Sequence, residues 1–384
     1  MIQSSSQKEI PAGMIDLGIG QPSPGLLPVA ALVEAASHCA GRPGGILLSY
    51  GAEQGDPGFR TALAGFLADV YGAGIDPAQL LITNGASQAI DLICTLYSRP
   101  GDTILVEEPT YFLARKIFAD HGLNPVALPM DAEGLVVAAV EDALARTRPA
   151  FLYTIPTYHN PTSACLSAAR REALARLSRD RGLTVVADEV YHPLAYTETP
   201  PPPLAAWIPA APGILSLGSF SKILAPGLRL GWLQAAPAVI ERFVGCGLLD
   251  SGGGLNPFTS GIVRSALEIG RVGDTLAFLK DTYAARLRAL CAALRGQLPP
   301  GVHFTEPSGG FFVWLTLPEG VGTIELRASA RLQDVDFMPG ARFSSCDGLK
   351  NRLRLSFAYY DVPELVQGAE RLARAIRAMP LSPR

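Results

Sequence analysis

From residue 79 onward, short apolar runs rich in β-branched residues alternate with longer stretches whose apolar positions recur at helical spacing. QLLITNG (79–85) predicts a strand and SQAIDLICTLYS the helix after it. DTILVEE (102–108) predicts a second strand, followed by TYFLARKIFADHG, a helix ending at Gly122. PAFLYTIP (149–156) reads as a strand and SAARREALARLSRDRG as an amphipathic helix closed by Gly182. LTVVADE (183–189) and GILSLGSF (213–220) are two further strands. Strands separated by helices of this length imply right-handed βαβ units and a mostly parallel sheet, an α/β fold. Residues 261–297 read as one long helical stretch. FFVWLTL (311–317) and RLRLSFA (352–358) are strands in a different neighbourhood, and a last helix runs from Pro363 to about Ala378. The expected organisation is a large domain over residues 46–270 and a smaller α+β domain over 271–384. Residues 1–45 lack a core of their own and are expected to pack with the smaller domain.

Composition narrows the class of protein. Of 384 residues, 48% are apolar and 17% charged, enough to bury a large core. The net charge of −3 gives no electrostatic footprint for nucleic acid. No apolar run reaches the roughly 18 residues a membrane helix needs, and MIQSSSQKEIPAG lacks a secretory apolar segment, so the expected location is cytoplasmic. Six scattered cysteines with no C-x-x-C pair argue against a disulfide framework or a structural zinc site and for a reducing compartment. Basic charge is carried by 27 Arg and only five Lys: Lys8, Lys116, Lys222, Lys280 and Lys350. Chemistry that needs an amine nucleophile therefore has few candidates. Pro200–Pro203 form the single low-complexity spot, an extended loop.

In open parallel sheets, ligands sit beyond the carboxyl ends of the strands, so the residues just after each strand are informative. After the first predicted strand comes Asn84-Gly85-Ala86-Ser87, a small-residue turn opening a helix, suited to cradle phosphate. After the next come Pro109-Thr110-Tyr111, then Thr157-Tyr158-His159-Asn160-Pro161, then Asp188-Glu189-Val190-Tyr191, then Ser219-Phe220-Ser221-Lys222 with Arg229 beyond. Each has a plain structural explanation: Asp188 as a helix cap, Lys222 on the surface, Tyr111 in the core. Together they would need five coincidences along one sheet edge. The set suits pyridoxal 5′-phosphate, which needs an amine to hold it, a carboxylate for its ring nitrogen, donors to its phenolic oxygen, a stacking ring and a phosphate site. Lys222 alone of the five lysines follows a strand among small hydroxyl residues. Lys116 and Lys280 lie in helical patterns, Lys8 in a frayed N-terminus and Lys350 in a polar turn.

These residues resemble the class I/II aminotransferases of fold type I, with the aspartate-aminotransferase-like fold. Within them, the chain is most similar to the branch of 2-aminoadipate and kynurenine aminotransferases and to the aminotransferase-like halves of certain bacterial regulators. The landmarks are IDLGIGQPSPGLLP (15–28), SYGAEQGDPGFR (49–60), TNGASQAI (83–90), EEPTYF (107–112), YHNPTS (158–163), DEVY (188–191), SFSKILAPGLRLGW (219–232) and RLRLSF (352–357).

The resemblance implies that Lys222 holds the cofactor as the internal aldimine and shuttles the proton between Cα and C4′. It implies that Asp188 pairs with the ring nitrogen, that Tyr191 and Asn160 hydrogen-bond the phenolic oxygen, and that Tyr111 stacks on the ring. Gly85, Ala86, Ser87, Ser219, Ser221 and Arg229 would hold the phosphate. Tyr50 would reach the phosphate of a partner subunit, implying a homodimer with shared sites. Arg354 would bind the substrate α-carboxylate, with Asn160 and Gly20 also on the substrate side; Arg352, on the same face of the alternating run, is the rival to Arg354.

The chain also departs from the family pattern. Ser163 stands where the family's Asn-Pro-Thr-Gly turn has glycine. Residues 250–257 carry three glycines in place of bulkier side chains, read either as a mobile, roomy entrance or as a plain loop. No further Arg stands out for a second substrate carboxylate. The expected reaction moves an amino group between an α-amino acid and a 2-oxo acid. The same residues would serve elimination, decarboxylation with oxidation or cyclisation, and a non-catalytic ligand-sensing module is the third reading. Against the last stand the few residues before Ile15, too short for a winged helix, and the lack of a basic segment.

Overall fold

The computed structural model describes residues 3–5, 8–42 and 48–379. Its centre is an eight-stranded sheet built from β1 (Leu80–Thr83), β2 (Thr103–Glu108), β3 (Asn124–Asp131), β4 (Gly134–Leu135), β5 (Leu152–Thr154), β6 (Val185–Asp188), β7 (Ile214–Ser219) and β8 (Gly231–Gln234). The spatial order is β1-β8-β7-β6-β5-β2-β3-β4. The β7-β6-β5-β2-β3 core is parallel, while β8 runs antiparallel to both neighbours and β4 antiparallel to β3. Strands β1, β5, β6, β7 and β8 are buried at every position, as expected of a sheet covered on both faces.

One face packs on the helices Ala86–Tyr97 and Phe112–Asp120, through Ile90, Ile93, Ala114 and Phe118. The other carries Val137–Arg146 and Ala168–Arg181, through Val140, Ala143 and Leu174. The latter helix ends at Gly182, whose φ of 66° gives the left-handed cap.

A second, four-stranded antiparallel sheet comprises β9 (His303–Phe304), β10 (Phe312–Thr316), β11 (Met338–Pro339) and β12 (Arg352–Ser356), in the order β9-β10-β12-β11. The helix Val362–Ala378 packs on Arg271–Gln297 behind it and starts at a capping box between Asp361 and Glu364. The N-terminal segment joins this region: Ile15–Asp16 pairs in parallel with Val335–Asp336, and Ile15 and Leu17 lie against Gly368.

Three expectations are corrected. The stretch 261–297 is two helices, Pro257–Glu268 and Arg271–Gln297, separated at Gly270 with φ of 79°. Strands β3 and β8 were not foreseen. NPVALPMD carries two prolines and is mostly exposed, and GWLQ is only four residues long, so neither shows a clear period. Lys8 lies in a short strand, Lys8–Ile10, paired with Gln3–Ser5, rather than in a frayed end.

Candidate active site

The parallel strands bring their carboxyl ends to one edge, and five of the predicted groups meet there. Asp188 closes β6 and is buried. One of its carboxylate oxygens, Oδ2, accepts the Tyr153 hydroxyl at 2.7 Å, while Oδ1 is buried without a partner among the described residues. Burial pushes the Asp188 carboxyl above its ordinary value, opposed by the Tyr153 hydrogen bond.

Lys222 follows β7. Its Nζ donates to the Gly20 carbonyl at 3.1 Å and stands 5.8 Å from the centre of the Tyr191 ring and 5.5 Å from that of Phe311. Burial lowers its pKa to about 8; Arg354 and Arg229 push the same way, and Asp188 opposes them. Such an amine keeps a far larger unprotonated fraction near neutral pH than an ordinary lysine. The fold thus delivers a nucleophilic amine at neutral pH.

Arg354, in the middle of β12, is 3% exposed. It donates from Nη1 to Asn160 Oδ1 and from Nη2 to the Gly18 carbonyl, both at 2.8 Å. Its guanidinium lies over the Phe312 ring at 4.0 Å and the Phe343 ring at 5.1 Å, and Nε is buried without a partner among the described residues. Burial lowers its pKa to about 10. Arg352, the rival, is half-buried and donates to the Thr316 hydroxyl instead. Gly18 and Gly20 thus tie Arg354 and Lys222 to one short segment. A Cβ at Gly20 would stand 3.1 Å from the Phe312 ring and 3.5 Å from Arg354 Nη2.

At the open side, Gly85 adopts φ of 85°, and a Cβ there would lie 3.2 Å from Arg229 Nη2. Ala86 and Ser87 begin the helix with no side-chain cap, leaving its first N–H groups for a ligand. Arg229 is exposed in a left-handed conformation (φ 45°), braced by Asn256 Nδ2, which donates to the Leu228 and Arg229 carbonyls at 3.1 and 2.8 Å. Ser219 Oγ accepts the Ser221 N–H at 3.1 Å, so part of its capacity is used locally. Tyr111 stands half-buried in front of β2, and burial raises its hydroxyl to about 12.

Tyr50 is not brought to this site: it is 86% exposed and lies beside Gly253. In the 250–257 segment, residues 253–256 connect two helices. Asp250–Gly252 belong to a short helix; a Cβ at Gly253 would come 2.9 Å from the Gly51 carbonyl oxygen and one at Gly254 2.1 Å from that of Ala52, so these two glycines permit tight packing against residues 50–52, whereas Gly252 has open space around it. Ser163 takes the left-handed conformation (φ 60°) that glycine would adopt freely, and its hydroxyl donates to the Phe312 carbonyl at 2.7 Å. Sequence reasoning missed Tyr153, Phe312 and Phe343. Period-2 alternation in β10 could have flagged Phe312, since Phe312 and Trp314 share a face and Trp314 pairs with Arg354. Tyr153 carries no local signal.

Residues 12–372 match the family described as aminotransferase class I and II. The chain belongs to that family. It is 33% identical to the aromatic-amino-acid aminotransferase 1 of Thermococcus litoralis, over 95% of this chain and 88% of that protein. It is also 33% identical to the 2-aminoadipate transaminase of Thermus thermophilus, over 98% of this chain and 95% of that one. The solved structure of LysN, the alpha-aminoadipate aminotransferase of Thermus thermophilus, complexed with N-(5'-phosphopyridoxyl)-L-leucine, superposes with a TM-score of 0.86 at 33% identity, covering 98% of this chain and 95% of that one.

This aminotransferase is a transferase with the aspartate-aminotransferase-like fold, and its cofactor is pyridoxal 5′-phosphate. The residues present fit that group. Asp188 Oδ1 is an orphaned buried acceptor, Lys222 a half-buried amine of depressed basicity, and the Gly85 turn a cradle a side chain would fill.

Proposed function

We propose that the transamination is carried out by the group of residues gathered at this edge, with Lys222 as its catalytic amine and Arg354 as the anchor for the substrate α-carboxylate. The observation that carries this reading is that a buried guanidinium, Arg354, and a half-buried amine, Lys222, converge on Gly18–Gly20 with no carboxylate in ion-pair contact among the described residues. A buried charge stripped of its partner is typically ~3–5 kcal/mol worse off than a paired one. A fold that keeps two such groups side by side has them ready for an anion and an electrophile.

When bound, pyridoxal 5′-phosphate supplies an aldehyde that captures the amino group and a ring that takes up the electron pair released at Cα. Lys222 Nζ would take the proton from the substrate Cα and deliver it to the cofactor's C4′, on the far side of the transferred nitrogen. Asp188 holds the ring nitrogen, Tyr191 and Asn160 the phenolic oxygen, and Tyr111 covers the ring face. Gly85, Ala86, Ser87, Ser219, Ser221 and Arg229 grip the phosphate, Arg229 by its planar fork. Arg354 orients the substrate by its carboxylate, with Asn160 and Gly20 beside it. Because Asn160 Oδ1 already accepts from Arg354, the phenolic oxygen and the carboxylate anchor share one side chain.

The substrate side chain is proposed to be apolar or aromatic. The Phe312 and Phe343 rings flank Arg354, and Phe112 packs edge-on against Phe343 at 5.3 Å. A second reading, a dicarboxylic donor, is favoured by Arg342, exposed over the Phe112 ring at 4.7 Å. The assembly is proposed to be a cytoplasmic homodimer, with Tyr50 completing the partner's phosphate site. Its supports are the exposure of Tyr50, Leu48 and Phe258 and the six unpaired cysteines. The chain is proposed to divide at about residues 45 and 270, a reading supported by the break at Gly270 and the packing of Arg271–Gln297 on Val362–Ala378.

The test is a single-turnover panel. Purified holoenzyme is mixed with individual amino acids, and the absorbance of the pyridoxal form is followed as it converts to the pyridoxamine form. Conversion is expected to be fastest with aromatic and branched apolar donors. If only dicarboxylic donors convert, and Arg342→Ala abolishes that conversion, the second reading replaces the first.

A further inference from the structure

We propose that Tyr153 is a positioning residue for the reaction: its hydroxyl holds Asp188 as an anion and turns over one carboxylate oxygen, Oδ1, to the cofactor's ring nitrogen. The inference rests on the assignment of Asp188 to that nitrogen.

Tyr153 lies in the middle of β5, directly opposite Val186 of β6, and Asp188 is two residues further along β6 on the same face. Diagonal neighbours at this spacing lie roughly 7–8 Å apart, within reach of an aromatic side chain but not of a short one. Tyr153 spans that gap and delivers its hydroxyl 2.7 Å from Oδ2. The ring is completely buried and held edge-on by Phe118 at 5.3 Å, so the hydroxyl has one place to go. Its own pKa is driven well above the ordinary value, by burial first and by the Asp188 charge after it. It therefore stays protonated and acts as the donor.

The consequence concerns where a shared proton rests. Burial favours a neutral carboxyl at position 188, which would take the proton from a ring nitrogen and leave the ring a poor electron acceptor. A hydroxyl donating to Oδ2 stabilises the carboxylate form, and the proton then stays on the ring. The Val190 backbone N–H favours the same form. Lys222, Tyr111 and Glu107 are the other titratable groups that act on the Asp188–Tyr153 pair. None of them is hydrogen-bonded to the Asp188 carboxylate, so Tyr153 is the side chain that sets its state.

The experiment reconstitutes wild type, Tyr153→Phe and Asp188→Asn with pyridoxal 5′-phosphate labelled with 15N in the ring. The 15N resonance of each is recorded beside the dissociation constant for the cofactor and kcat. In wild type the resonance is expected at the protonated-pyridine position. In Tyr153→Phe, which keeps the ring and its packing, it is expected to move toward the unprotonated position, with kcat lowered about tenfold and cofactor affinity about threefold. Should Tyr153→Phe fold poorly, 3-fluorotyrosine at position 153, a stronger donor, is expected to hold the resonance at or beyond the wild-type protonated position. A Tyr153→Phe resonance identical to wild type, with Asp188→Asn shifted, overturns the role of Tyr153 while leaving the Asp188 assignment intact. An unshifted resonance in Asp188→Asn overturns that assignment, and the inference falls with it.

Discussion

The two ends of the site differ in how completely the chain builds them. At the inner end, Asp188, Asn160 and Arg354 are all buried, and each is held by at least one side-chain or backbone bond: Tyr153 to Asp188, Arg354 to Asn160, and Arg354 to Gly18. At the outer rim, Arg229 and Ser87 are exposed, and Tyr50 is exposed beside Gly253. The inner end is a preorganised electrostatic device whose donors and charges are fixed before anything binds. The rim leaves its groups open to solvent, as suits the part of a site that, on the proposed reading, receives a dianion and a second subunit. Changes at the inner end should therefore strike the chemistry, and changes at the rim should strike cofactor retention.

The largest effect is expected at Lys222. On the proposed reading Lys222→Ala removes the proton-transfer group, worth roughly 10²–10⁴-fold, and steady-state turnover is expected to fall at least that far while the protein still takes up the cofactor non-covalently. Next comes Arg354→Ala. If Arg354 holds the substrate carboxylate as proposed, loss of that charge-assisted contact, ~2–5 kcal/mol, should lower kcat/KM by roughly 30- to 5,000-fold. Arg352→Ala, by contrast, should change kcat/KM less than about threefold, since that guanidinium is spent on Thr316. Equal losses in the two variants would break the distinction between them.

The pH dependence of cofactor uptake is a milder probe. On the proposed reading only the unprotonated Lys222 amine attacks, and burial lowers its pKa to about 8. Uptake by the apo-protein is therefore expected to rise with pH through about 8 and level off above it. A rise continuing toward the ordinary lysine value would show that the amine is not buried as described. The smallest effect is expected at Ser163. Ser163→Gly relieves a left-handed conformation worth ~1–2 kcal/mol but loses a hydrogen bond worth ~0.5–1.5 kcal/mol, so thermal unfolding should move little. Ser163→Ala keeps the strain and loses the bond, and should be the less stable of the two.

The sheet, and most of the groups that the structure gathers at its edge, were legible in the sequence because they sit in contiguous motifs at strand ends. Ser219–Lys222 and Asp188–Tyr191 each follow an unbroken apolar run, and such runs mark strands even without an alignment. The reading failed where the cause was non-local. Gly270 breaks a helix whose flanking pattern is continuous on both sides. Tyr153 looks like any core aromatic until β6 is laid beside β5, because its partner is 35 residues away. The glycines of residues 252–254 suggested mobility, whereas Gly254 is small because the Ala52 carbonyl occupies the space. Arg352 and Arg354 share a face and differ only in what lies opposite, Thr316 in one case and Trp314 in the other, a difference of pairing register that the run itself does not carry.

The most direct measurement is borohydride reduction of the protein loaded with pyridoxal 5′-phosphate, followed by peptide mapping. The account predicts a single stable pyridoxyl group on the Nζ of Lys222, and none in the Lys222→Ala variant. Label recovered mainly on Lys116, Lys280 or Lys350, or equal labelling with and without Lys222, would contradict it.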